Sequence, residues 1–69
     1  MDITFLTVTS DRQFVDCHSA SGNFLTRIHP STALPISTAM IQGNRIVIQG
    51  SNGRTDIHDL DSGNHIMSI

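Results

Sequence analysis

The sequence predicts an all-β fold, about seven strands arranged as two antiparallel β-meanders. Three observations predict it. The 69-residue chain has no Lys and no Glu, so the best exposed helix formers are missing, while Ile, Val, Thr and Ser abound. Apolar and polar residues alternate with a period of two, as in strands with one buried face. Turn signals also recur at the short spacing typical of all-β chains.

Strands are expected at 3–9, 12–18, 23–28, 36–42, 45–50, 54–59 and 64–69. "ASGN" (20–23) closes the second strand and opens the third, with Gly22 able to take a left-handed conformation beside a bulge. "HPSTALP" (29–35) is the one long connection, and its two prolines keep it extended and out of any ladder. "QGN" (42–44) and "SNG" (51–53) carry the residues that tight hairpin turns demand. "DSGN" (61–64) repeats the longer loop before the last strand.

The chain matches itself. Shifted by 41 residues, 2–28 lies on 43–69 without a gap: Ser10 meets Ser51, Ser21-Gly22-Asn23 meets Ser62-Gly63-Asn64, and Ile28 meets Ile69. The second strand departs from this, because Asp16-Cys17-His18 fits Asp56-Ile57-His58 better at a shift of 40. A slip of one residue exchanges the two faces of a strand, so its register stays open. The domain reading is a single all-β unit, residues 1–69, made of two repeats (2–28 and 36–69) joined by linker 29–35.

From Leu25 to Ile69 the layout resembles a β-propeller blade of the WD40 type. The matching pieces run "LTRI", His29, "ISTAMI", "GN", "RIVIQGS", "NG", "RTDIHD", "DSG" and "NHIMSI". His58-Asp59 stands where that family has Trp-Asp, Cys17-His18 stands there in the first repeat, and Ile28 replaces the Gly before the loop His. What matches is turn spacing without the dipeptide, and a generic propeller blade fits nearly as well. Two blades do not close a ring, since propellers have roughly four or more. The resemblance therefore implies a chain that oligomerises or a piece of a longer protein. The alternative fold is a small closed β-barrel or sandwich.

Composition narrows the function classes. One cysteine, Cys17, makes no internal disulfide, which favours a reducing compartment. No segment approaches the ~20 apolar residues of a spanning helix, and the N-terminus does not read as a signal peptide, so the expected location is cytoplasmic, with no membrane partner. A net charge of −2 gives no basic footprint for nucleic acid. Trp and Tyr are absent, which removes the usual anchors of sugar and single-strand sites.

The repeated Asp-x-His is the sharpest chemical candidate. Residues i and i+2 of a strand share a face, so Asp16 neighbours His18 and Asp56 neighbours His58, a carboxylate–imidazole pattern that can ligate a metal. The bland reading is a solvated strand face on which each Asp pairs its His, and no metal or other cofactor is assigned. "DLDSGN" (59–64) fails the calcium-loop spacing and reads as a turn, with Asp61 accepting backbone amides. Cys17 and His18 are adjacent and point to opposite faces, so they form no dyad, and Cys17 reads as a small buried apolar residue. No Gly-x-Ser-x-Gly elbow or phosphate loop occurs. Arg12 and Arg54 are expected to pair with Asp16 and Asp56 along their strands.

The functional expectation is a non-catalytic β-repeat module. It acts through self-assembly or a protein partner, as a homo-oligomer whose association completes the fold. The alternative is a small metal- or anion-binding protein or enzyme with its site at an oligomer interface built from Asp-x-His pairs.

Overall fold

The chain reverses where a residue adopts positive φ and runs extended between those points. The computed structural model describes residues 1–69, and its regular elements are all strands. They are β1 (Phe5–Val8), β2 (Val15–His18), β3 (Phe24–Ile28), β4 (Ile36–Gln42), β5 (Arg45–Gly50), β6 (Thr55–Asp59) and β7 (His65–Ser68). They form two antiparallel meanders, a three-stranded sheet β1-β2-β3 and a four-stranded sheet β4-β5-β6-β7. No helix is present, so none is long and apolar enough to cross a membrane.

Local chemistry explains the boundaries. The β4–β5 turn has Gly43 at φ 60°, with no positive φ at Asn44, the type II′ pattern whose twist suits a two-residue hairpin. β2 starts at Val15 rather than 12 because residues 9–14 form a hydrogen-bonded loop. Arg12 N–H donates to Thr9 O (2.9 Å), Gln13 N–H to Asp11 Oδ1 (3.2 Å) and Phe14 N–H to Thr9 Oγ1 (3.2 Å).

The register resolves the second strand. Phe5 faces His18 and Ile46 faces His58, Leu6 faces Cys17 and Val47 faces Ile57, Thr7 faces Asp16 and Ile48 faces Asp56. β2 and β6 thus correspond at a shift of 40, whereas β1 and β5 correspond at 41. The third strands return to 41, because His18 faces Phe24 where His58 faces His65. Residues 9–14 form a loop one residue longer than 50–54, and 19–23 a loop one residue shorter than 59–64, so the two differences cancel. Both sheets also bulge at the same place, between Cys17 and His18 and between Ile57 and His58.

The sheets share no ladder and so do not close into a barrel. They meet across one core of Ile3, Val15, Cys17, Ile28, Ala33, Ile36, Ile46 and Ile48, flanked by Leu6, Val8, Leu34, Ala39, Ile41 and Leu60. The first sheet turns Leu6, Val8, Val15, Cys17 and Ile28 inward. The second turns Ala39, Ile41, Ile46, Ile48, Asp56 and His58 inward. These inner faces do not correspond in the repeat. Ile46, Ile48, Asp56 and His58 are the counterparts of Phe5, Thr7, Asp16 and His18, which lie on the outer face of the first sheet. The two repeats therefore point the same way, and the back of one packs on the front of the next.

Candidate functional site

Asp56 and His58 are the only buried polar side chains in strands, at 0% and 4% exposure. Strand alternation puts both on the inner face of the second sheet, against the linker and the first sheet. A solvated face was expected there, and the structure corrects it. What covers Asp56 is the return of the chain: residues 29–35 cross this face, with Pro30 and Ala33 themselves buried.

The Asp56 carboxylate fastens that crossing. It accepts the Thr32 amide (2.9 Å), the Thr32 hydroxyl (2.7 Å) and the Ala33 amide (2.9 Å), and a short hydrogen bond from the Ser68 hydroxyl. Burial alone would raise its pKa. The Ser68 hydroxyl and the amides of Ala33 and Thr32 outweigh it and hold the carboxyl well below the usual carboxylate range. His65 Nε2 lies 2.8 Å from Ser68 Oγ and 3.8 Å from Asp56 Oδ1. Because Ser68 gives its proton to Asp56, this Asp, Ser and His set is not a nucleophile poised beside a base. An ionised carboxylate that accepts four hydrogen bonds makes a poor general base.

His58 does not pair with Asp56. Its Nδ1 lies 2.9 Å from the Gly63 carbonyl, to which it donates, and its rings stack edge-on with His65 at 5.3 Å. Nε2 of His58 is buried without a hydrogen-bond partner. In the first sheet the Asp-x-His residues are likewise paired elsewhere. Asp16 takes a bidentate hydrogen bond from Arg27 (2.7 and 3.1 Å), which lowers the Asp16 pKa, and His18 Nε2 lies 3.0 Å from Thr7 Oγ1. Asp16 and His18 face outward from one sheet, Asp56 and His58 inward from the other. No group of three or more His, Cys, Asp or Glu side chains comes together to hold a metal ion.

Other expectations resolve residue by residue. Arg12 does not pair with Asp16. Its guanidinium donates to Ile36 O (3.2 Å) and Ser37 O (3.3 Å), because its positive φ of 58° swings the loop over the start of β4. Arg54 does not pair with Asp56, which is buried away from it, and donates instead to Ile69 O (3.2 Å). In the last loop Asp59, not Asp61, accepts the Ser62 amide (2.8 Å) and hydroxyl (2.9 Å), since Asp59 ends β6 with its side chain over the turn. Cys17 is fully buried, and burial, helped by the negative charge of Asp16, pushes its thiol up to about 11.

The sequence pattern did not show that residues 29–35 form a strap across the second sheet. Asn52 Nδ2 donates to Thr32 O (2.8 Å), Ser51 N–H to Pro35 O (2.9 Å) and Ile36 N–H to Arg12 O (2.8 Å). The second repeat thus grips residues 32–35, and the first holds Ile36 at the start of β4. The surface carries one shallow hollow, lined by Ser37, Gln49, Gly50, Gly53, Arg54 and Thr55, with no apolar side chain to hold a small molecule. Comparison with protein-family models, with curated proteins and with solved structures gives no match for this chain.

Proposed function

We propose that the chain is a non-catalytic β-repeat module, two blade-like units whose work is association through their sheet faces. The observation that carries this is where the exposed apolar side chains lie. Phe5 and Phe24 stand on the outer face of the first sheet, 52% and 58% exposed, and Met40 and Met67 on the outer face of the second, 37% and 45% exposed. Exposed apolar side chains gathered on the sheet faces of a small domain point to an interaction site. The titratable side chains support the same reading. Asp56 and Asp16 are consumed by structural hydrogen bonds, and Cys17 is sealed in the core as a thiol.

A core of eight residues is small for a domain with no disulfide, and covering the outer faces adds apolar burial at about 25 cal/mol per Å². The test is the solution mass by light scattering over a range of concentration. The expected result is a multiple of the 7.5 kDa chain mass. A 7.5 kDa monomer at every concentration, together with no heat of binding to any protein partner, overturns the proposal.

A further inference from the structure

The open faces on the two sheets are different, and the repeat says how they fit. We infer that the chain binds a second copy of itself head to tail, the outer face of the first sheet of one copy packing on the outer face of the second sheet of the next. This rests on the association proposed above and specifies its geometry.

The template is the contact inside the chain. There the face of the first sheet carrying Leu6 and Cys17 packs on the face of the second carrying Ile46, Ile48, Asp56 and His58. In the repeat, the counterpart of Leu6 and Cys17 is Val47 and Ile57, and that face of the second sheet is open. The counterpart of Ile46, Ile48, Asp56 and His58 is Phe5, Thr7, Asp16 and His18, and that face of the first sheet is also open. Each chain satisfies one such contact internally and presents one unused half of each kind. The two halves belong together because their counterparts already do.

Side-chain chemistry agrees. Met40, Val47, Ile57 and Met67 are directly opposite one another in successive strands and form an apolar stripe across all four strands of the second sheet. Across the first sheet the corresponding line is Phe5, His18 and Phe24, with His18 and Phe24 edge-on at 6.2 Å. Thioether sulfur against aromatic edges is a favourable pairing, and Met adapts to irregular surfaces. The carboxylate on the face of the first sheet is already neutralised. Arg27 occupies both oxygens of Asp16, where the matching Asp56 needs Ser68 and the strap. Arg45 faces Asp59 in the ladder of the second sheet. Burying the face of the first sheet therefore leaves no lone charge, the condition under which buried ion pairs are tolerated, and on the second the opposite charges of Arg45 and Asp59 lie at the end of the strands, beside the stripe.

A head-to-tail contact uses two different patches, whereas a two-fold dimer uses one patch twice. Complementation separates them. Phe24→Asp damages one face and Met67→Asp the other, and both side chains are exposed, with far-ultraviolet circular dichroism confirming that each variant folds. Phe5→Asp and Met40→Asp serve as second variants of each kind. Each variant alone is expected to be monomeric at concentrations where the wild type is not. A mixture of one of each kind is expected to give a one-to-one heterodimer of twice 7.5 kDa, because each supplies the face the other has lost. If one variant alone keeps the wild-type mass while the other loses it, association stands and the head-to-tail arrangement falls. If the folded variants do not combine on mixing, the arrangement also falls. A monomeric wild type overturns the head-to-tail arrangement and the self-association on which it rests.

Discussion

At Asp56 one carboxylate satisfies two backbone amides and two hydroxyls that the strap would otherwise bury unpaired. An unsatisfied buried donor costs about 1–3 kcal/mol. Asp56→Ala leaves several and is expected to cost at least about 3 kcal/mol, a large share of the stability of a domain this small. Asp56→Asn keeps one acceptor oxygen, turns an NH2 group toward donors, and is expected to cost about 2 kcal/mol. The pH dependence has a definite sign. The folded-state pKa of Asp56 is depressed, so its stabilisation is present above the ordinary carboxylate pKa and is lost as pH falls below it. Asp11, Asp16 and Asp59 are lowered too, by the Thr9 hydroxyl, the Arg27 guanidinium and the Ser62 amide in turn, and add to the same acid sensitivity. Urea melts from pH 7 down to pH 2 should show the wild type losing more stability than Asp56→Asn. Equal loss in both would sink the account of this residue.

At the element scale the strap is fastened to the second repeat, through Asp56, Ser51 and Asn52. Gly50 ends β5 directly under it. A Cβ there would lie 2.7 and 2.8 Å from the backbone C and Cα of Ala33, which cannot move aside as a side-chain tip can. Gly50→Ala is expected to destabilise by about 1–3 kcal/mol by the overpacking rule, whereas Gly43→Ala has open space and meets only the backbone strain of its positive φ. Chemical denaturation of both checks this, with protease cleavage within 29–35 rising in the Gly50 variant alone. This element also shows where sequence reading ran short. The seven strands were legible because alternation and turn residues are local signals. The strap was not, because Asp56 and Thr32 meet across 24 positions and nothing in a strand pattern says which face a returning linker will cover. The register of β2 was half legible, since Asp-x-His pointed to a shift of 40 while the flanking strands pointed to 41. One hairpin loop is a residue longer and the next a residue shorter, so a gapless shift of 41 matches both ends and misplaces the middle.

For the whole molecule, the consequence of two repeats pointing the same way is that one face of each sheet stays uncovered within the chain. The same reasoning explains why Asp56 and His58 are buried while Asp16 and His18 are not: the pairs sit at equivalent ladder positions, and only the second lies on an inner face, with the returning linker across Asp56. If a second copy supplies the missing layer, folding and association are linked and the midpoint of thermal unfolding depends on chain concentration. Each tenfold rise in concentration adds about 1.4 kcal/mol to a dimer, shared over two chains, which corresponds to about 3–6 °C for chains of this length. Differential scanning calorimetry across two decades of concentration should show that rise in the wild type. Phe24→Asp and Met67→Asp, each lacking one half of the contact, should unfold at a midpoint independent of concentration. A concentration-independent wild type would mean that the chain tolerates its outer faces in water and that the internal contact alone supports the fold.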